Sequence, residues 1–277
     1  MTMIGLLPEG KYADCANGHR IHYLDEGQGD VVVFLHGSGP GASGHSNFKG
    51  NYPVLVDAGY RCIVPDHIGY GFSDKPDDID HPLSLFVECV KQTLDSAGVE
   101  RCTVVGNSLG GAVALGLALE HPELVEKLIL MAPGGLSELP EYQQMPGMQK
   151  VFQVFGSGEP VTPAVMKDLF ATGLMHDAKY ATDELVQERM QVMEIMNGHV
   201  MATMQIPTLT DRLSELHCPV LGFWGMDEKM MPENGIMAMA KNIRQLRLIL
   251  VTECGHWVMV EHEGMFNRAC VEFLQHG

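Results

Sequence analysis

Short apolar runs alternate with amphipathic helical stretches over most of this chain, and that alternation limits the folds open to it more than any other feature. Val31–Leu35 (VVVFL), Arg61–Pro65 (RCIVP), Thr103–Gly106 (TVVG), Lys127–Met131 (KLILM), Pro219–Trp224 (PVLGFW) and Leu246–Val251 (LRLILV) read as strands, as does Arg20–Asp25 (RIHYLD). Between them lie helical patterns. In Leu83–Ala97 the apolar positions Leu83, Phe86, Val87, Val90 and Leu94 share one face, and Gly98 ends the helix. Leu109–Glu120 is a helix of small residues stopped before Pro122. Helices are also expected near Glu233–Ala240 and from about Glu261 to the end. Such a pattern predicts an α/β fold: a mostly parallel sheet with helices on both faces. The alternation fails once. From Gly134 to about Arg212 it gives way to helical patterns broken by Pro and Gly, with nine methionines between Met145 and Met204. We expect two units: residues 1–133 with 213–277 as an α/β core, and 134–212 as an inserted helical lid.

Composition narrows the function classes. Of 277 residues, 35 are acidic and 18 basic, a formal net charge of −17. That field repels phosphate backbones and anionic lipid surfaces, so neither nucleic acid nor a membrane is an expected partner. No apolar run reaches the 18 residues of a spanning helix. The opening MTMIGLLPEGKYADC lacks a basic n-region and an apolar h-region, so no secretory leader is expected. Seven scattered cysteines with no CxxC fit reduced thiols in the cytoplasm better than a disulfide framework or a zinc site. The thirteen histidines form no HExxH. A small-molecule substrate is the expected partner; a homo-oligomer, dimer or higher, is left open.

The chemistry is carried by Gly106-Asn107-Ser108-Leu109-Gly110, set between a strand and a helix, where a G-x-S-x-G nucleophile elbow belongs. Flanking glycines relieve crowding in the strained turn, and Ser108 is held clear of the backbone. The Leu109 N–H faces the same place and is a candidate oxyanion donor, aided by the helix N-terminus. A serine hydroxyl needs a base and an acid to orient it, in the chain order Ser, acid, His for this kind of sheet. The best-placed histidine is His256, after LRLILV; the expected acid is Asp227, after PVLGFW, with Glu228 and Asp211 as rivals. His262 and His217 are the rival bases. The loop His36-Gly37-Ser38-Gly39-Pro40-Gly41 follows VVVFL and supplies a second oxyanion amide from Ser38 or Gly39, since Pro40 has no N–H.

Taken together, the elbow, the HG loop, the triad order and the inserted lid resemble the α/β-hydrolase fold over nearly the whole chain. More narrowly, HGSGPGASGHSNFKGNYPVLVDAGYRCIVPDHIGYGFSDKP, GNSLGGAVAL, LILMAPGG and CGHW…EH…FN resemble the meta-cleavage-product hydrolases. That resemblance implies hydrolysis of a C–C bond in 2-hydroxy-6-oxo-hexa-2,4-dienoates, with no metal or organic cofactor. It also implies substrate contacts from Asn47, Asn107 and Trp257, and a carboxylate clamp from Arg189 that assists ketonisation. Two positions differ, His45 standing where members usually carry a bulky aromatic and Gly50 where they carry arginine; two stretches differ as well, HIGYG replacing the commoner small-Pro-Gly turn and GMDEKMMP being an unusual acid loop. An ester or lactone hydrolase using the same triad is the alternative.

Arg189 can also be read from the residues. Leu185, Arg189, Val192, Met193 and Met196 share one helical face, and an arginine inside an apolar stripe is costly unless it meets an anion. A stripe of Val186, Met190 and Met193 would instead leave Arg189 snorkelling at its edge. The lid methionines read mostly as adaptable core filler, with a few for the pocket.

Overall fold

The computed structural model describes residues 9–277. The first eight residues of the opening segment, read above for a leader, lie outside it. Among the described residues ten strands form: β1 (Lys11–Asp14), β2 (Arg20–Glu26), β3 (Val31–Leu35), β4 (Arg61–Pro65), β5 (His81–Pro82), β6 (Cys102–Asn107), β7 (Val125–Met131), β8 (Met204–Gln205), β9 (Val220–Gly225) and β10 (Leu246–Val251). Eight make one sheet in the order β1-β2-β4-β3-β6-β7-β9-β10. From β4 to β10 every pairing is parallel; β2 runs antiparallel to both β1 and β4. The α/β-hydrolase expectation is met, with one edge strand, β1, that carried no readable period.

Residue alternation explains why the sheet is covered twice. In β3, Val33 and Leu35 join the core on one face, while Val32 and Phe34 join the core on the other. In β7, Leu128 and Leu130 oppose Ile129 and Met131 in the same way. Strands apolar on both sides must be sandwiched. Helices Leu83–Ser96 and Leu109–Glu120 cover the first face. Tyr52–Asp57 and the C-terminal helix Glu263–His276 cover the second. The C-terminal helix starts after a separate single turn, Val258–Glu261.

Between β7 and β9 the regular alternation stops. Helices Pro146–Gly156, Pro163–Leu169 and Asp183–Met193 occupy this stretch, with a π-helical turn at Phe170–Leu174. One element there was not anticipated. β8 pairs in parallel with β5, His81 against Met204 and Pro82 against Gln205. Two-residue strands have no period to read, and they tie the far end of the insert back to the core. None of the described helices is long and apolar enough to cross a membrane.

Parallel register brings the functional loops to one edge. Leu35 pairs with Gly106, Asn107 with Met131, Met131 with Phe223, and Val251 with Gly225. The loops after β3, β6, β9 and β10 therefore leave the sheet side by side, at the carboxyl ends where open α/β sheets gather their sites.

Candidate active site

The elbow has the strain its sequence implies. Ser108 has φ +55° and ψ −116°, a region costly for any residue with a Cβ. The flanking glycines permit it. A Cβ on Gly106 would overlap the Gly110 carbonyl, and one on Gly110 would overlap the carbonyl of Leu35 in β3. The turn is held from behind, where Ser108 N–H donates to Met131 O at 3.1 Å and Gly134 N–H donates to Ser108 O at 2.8 Å.

The HG loop lies directly against this serine. A Cβ on Gly37 would stand 3.2 Å from Ser108 Cβ and 3.0 Å from Asn107 Oδ1. His36 shapes the loop from within. Its Nε2 accepts from His67 N–H at 2.9 Å, so its proton sits on Nδ1, which donates to Gly37 O at 2.8 Å. Complete burial pushes the His36 pKa down to about 4, which keeps the ring neutral. Among the described residues the amides of Ser38, Gly39 and Leu109 have no acceptor. They are among several amides left without an acceptor at the edge Ser108 occupies, Gly37 being another.

The candidate base is buried, and its partner corrects the sequence reading. His256 Nδ1 lies 2.7 Å from Oε2 of Glu228, not of Asp227. Both side chains are buried. Asp227 turns outward, half exposed, and faces His176 Nδ1 at 3.0 Å. The reason is the turn after β9. Asp227 N–H donates to Cys254 O and Glu228 N–H closes back onto Gly225 O, so successive side chains leave on opposite sides. The residue one step further from the strand end needs a longer side chain to reach the histidine, and Glu supplies the extra methylene. The other Glu228 oxygen accepts from Met230 N–H at 2.6 Å and Met231 N–H at 3.3 Å, which fixes the carboxylate. A carboxylate following Gly225 was the readable signal; which of two adjacent ones turns inward was not. His262 bonds only to Glu253 O through its ring and stands apart from this cluster. The Ser108 hydroxyl and the His256 ring are not hydrogen-bonded to each other here; such bonds commonly tighten once substrate is bound.

Arg189 sits inside the apolar stripe, not at its edge. It is 2% exposed, together with buried Leu185, Val186 and Val192. Its guanidinium lies over the Trp257 ring at 4.9 Å and the Phe170 ring at 5.8 Å. No carboxylate among the described residues lies within 4.0 Å of it, and its Nε has no partner. Burial lowers its pKa to about 10, still well above neutral pH, so the group stays charged. Its one hydrogen bond runs from Nη2 to Asn47 Oδ1 at 2.6 Å. Asn47 Nδ2 reaches Asn107 Oδ1 at 3.5 Å, and Asn107 Nδ2 donates to Met131 O at 3.3 Å. The three polar residues matched by resemblance are thus one chain, from a buried cation in the insert to the residue before Ser108.

The structure adds a second tie that sequence reasoning missed. Glu188, 6% exposed, pairs with Lys49 at 2.6 Å. Lys49 lies just beyond the short helix Gly44–Phe48 that carries Asn47, so adjacent residues of the insert helix grip one core segment. Gly41, at φ +63°, lets the Arg189 backbone approach the HG loop, and its N–H points to Met196 Sδ at 3.3 Å. His45 hydrogen-bonds Tyr52 Oη at 3.0 Å, and a Cβ on Gly50 would overlap the Glu263 carboxylate. These two departures from the family pattern are therefore packed into this chain's own contacts. The described residues hold no group of three or more His, Cys, Asp or Glu suited to a metal ion.

Comparison with known proteins agrees with this geometry. Residues 30–263 match the family model described as the alpha/beta hydrolase fold. The chain is 36% identical over 267 residues to a 2-hydroxy-6-oxo-6-phenylhexa-2,4-dienoate hydrolase of Burkholderia cepacia, covering 93% of this chain and 92% of that one. It is 35% identical, over the same shares, to a 2-hydroxy-6-oxononadienedioate/2-hydroxy-6-oxononatrienedioate hydrolase of Comamonas testosteroni. Among solved structures, a meta-cleavage product hydrolase of Pseudomonas fluorescens IP01 superposes with a TM-score of 0.84 at 27% identity, over 96% of this chain and 98% of that one. An elbow serine, a buried histidine–carboxylate pair at the neighbouring strand ends and this likeness along the whole chain lead to one conclusion: the protein belongs to the alpha/beta hydrolase fold family and, within it, to the family of the 2-hydroxy-6-oxo-dienoate hydrolases.

Proposed function

We propose that the protein hydrolyses the C5–C6 bond of 2-hydroxy-6-oxo-hexa-2,4-dienoates. The observation that carries this reading is Arg189: a guanidinium 2% exposed, with no carboxylate partner, hydrogen-bonded toward the elbow through Asn47. Leaving a cation uncompensated in a protein interior costs several kcal/mol. A substrate carboxylate offsets that cost with bidentate, charge-assisted hydrogen bonds. A simple ester presents no such group.

The chemistry follows from the placement. With the carboxylate on Arg189, the dienol tautomerises to a keto form: the 2-hydroxyl gives up its proton, C5 takes one, and the remaining double bond lies between C3 and C4. Ser108 Oγ then adds to the C6 carbonyl while His256 Nε2 takes its proton; Glu228 stabilises the imidazolium that results. The oxyanion is received by the amides of Leu109 and of Ser38 or Gly39. The C5–C6 bond breaks with its electron pair moving into the conjugated 2-oxo acid, which leaves as a dienolate and takes the proton from the His256 imidazolium, returning the ring to its neutral form. Water, activated by His256, then releases the second acid from Ser108. Residues 134–212 act as the lid: they supply Arg189, cover the site and exclude water.

The test sets a 2-hydroxy-6-oxo-dienoate beside p-nitrophenyl butyrate. The dienoate is coloured, so its loss is followed directly. The expected result is a kcat/KM for the dienoate at least a hundred-fold above that for the ester. Cleavage of the ester with a persistent dienoate would overturn the proposal in favour of an esterase.

A further inference from the structure

One buried carboxylate near the site takes no part in the steps above. Glu261 closes the single-turn helix Val258–Glu261 and is 4% exposed. No cation among the described residues lies within 4.0 Å of it. Its charge is balanced by backbone amides alone. Oε1 accepts from Gly255 N–H at 2.8 Å. Oε2 accepts from His176 N–H at 2.8 Å and from Asp177 N–H at 3.3 Å. These amides belong to two segments far apart in sequence. Gly255 immediately precedes His256. His176 and Asp177 follow the π-helical turn Phe170–Leu174 in the insert between β7 and β9.

The same two segments meet elsewhere. His256 N–H donates to Leu174 O at 2.7 Å. A Cβ on Gly255 would overlap Leu174 O and stand 2.9 Å from His176 N, so glycine is what lets the two backbones touch. Lys229, beside Glu228, donates to Met175 O at 2.7 Å, and Asp227 faces His176. Residues 174–177 therefore lie across both the loop that carries the base and the loop that carries its acid. Glu261 is the side chain that joins the base loop to this strap, with one oxygen for each.

We propose that Glu261 is a positioning residue: it clamps the His256 loop to residues 174–177 of the insert, so that the imidazole reaches its working place only when the insert is docked. It touches no reacting atom and acts through Gly255 and His256. The inference rests on Ser108 and His256 being nucleophile and base; it does not depend on which bond the enzyme cleaves. Glu261→Gln tests it. An amide keeps the shape and one acceptor oxygen, but its NH2 must face a backbone N–H on one side, so one half of the clamp is lost. Misplacement of a reacting group by about 1 Å costs on the order of a hundred-fold in rate.

The assay is the rate of labelling by a fluorophosphonate, which needs the nucleophile and base and no dienoate. Circular dichroism checks that each variant is folded at the assay temperature. Folded Glu261→Gln is expected to label about 10- to 100-fold more slowly than wild type, and the downfield Nδ1 proton resonance of His256 is expected to broaden or vanish. A purely structural role predicts a lower melting temperature with labelling within threefold of wild type, and that result overturns the proposal. Should the variant fail to fold, native-state hydrogen exchange on the wild-type chain decides. A clamp requires the Gly255 and His176 amides to open together; separate opening overturns it. A wild-type chain that takes no label removes the nucleophile assignment and this inference with it, whereas slow dienoate turnover with normal labelling touches only the substrate reading.

Discussion

Replacing Glu228 with glutamine tests which acid serves His256, and the structure predicts which way the new amide turns. In the native turn one Glu228 oxygen accepts from Met230 and Met231 N–H, and the other meets His256 Nδ1 at 2.7 Å. A glutamine oxygen can satisfy only one of these sites. Two amide donors hold it at the turn, so the NH2 faces Nδ1. A donor there requires Nδ1 to be the acceptor, and the imidazole proton moves to Nε2. That is the nitrogen that must accept the Ser108 proton. The variant therefore loses the counter-charge and acquires the wrong tautomer together. The analogous carboxylate-to-amide change in a serine protease triad lowers kcat about 10⁴-fold, and we expect a loss of about 10³- to 10⁴-fold here. At about 1.4 kcal/mol per factor of ten, that is roughly 4–5.5 kcal/mol of transition-state stabilisation. Asp227→Asn, which alters only a half-exposed contact to His176, should stay within about threefold. Stopped-flow loss of dienoate absorbance and fluorophosphonate labelling should rank the two variants alike. A severe defect in Asp227→Asn with a mild one in Glu228→Gln would refute this placement of the acid.

Other consequences are as direct. Ser108→Ala should lower turnover by roughly 10⁵-fold or more while the fold persists, checked by single-turnover kinetics and thermal melting. Arg189→Met should reduce kcat/KM for the dienoate by about 10- to 100-fold, the worth of about 1.5–3 kcal/mol of charged hydrogen bonding, and should leave p-nitrophenyl butyrate cleavage within threefold; equal losses on both substrates would remove its role as a carboxylate clamp. His36 makes stability depend on pH. Its folded pKa is pushed down to about 4 from an ordinary 6.5. Between those values the unfolded chain binds a proton that the folded chain refuses, so stability falls as pH drops below 6.5. The loss is on the order of 2 kcal/mol by pH 5. Urea titrations at pH 7 and 5 should show it, and His36→Asn should shrink the difference.

The sheet was legible because each of its central strands repeats a pattern every two residues on both faces. VVVFL and KLILM announce themselves, the edge strand LRLILV is readable as an apolar run, and the helices between them follow from apolar spacing and Gly or Pro stops. What escaped notice was short or one-sided. β1 (Lys11–Asp14) buries only Ala13, and the β5–β8 pair is two residues long, so neither shows a period. The helix Gly44–Phe48 is a single capped turn, held by the Ser43–Ser46 capping box rather than by an apolar face.

The site divides along a different line. The strained turn at Ser108 and the strand-end place of His256 were readable because a strand end and a glycine mark each one locally. The choice between Asp227 and Glu228 depended on where two neighbouring backbones cross, since Asp227 N–H pairs with Cys254 O, a residue 27 positions away. Sequence spacing carries no trace of such a crossing. The same holds for every contact between insert and core. Arg189 to Asn47, Glu188 to Lys49, and Glu261 to His176 each join residues tens of positions apart through one polar group. An arginine in an apolar stripe signals that some anion is needed; it does not say whether the protein supplies it. Among the described residues only the Asn47 amide oxygen accepts from Arg189, although Glu188 is the residue just before it in the chain. Glu188 pairs with Lys49 and forms no ion pair with the guanidinium within 4.0 Å, although its charge still favours the charged arginine. Two oppositely charged neighbours on one helix, both buried and not paired with each other, leave the cation free for the carboxylate that the proposed substrate would present. That arrangement, rather than the presence of arginine, separates a carboxylate-binding hydrolase from an esterase built on the same elbow.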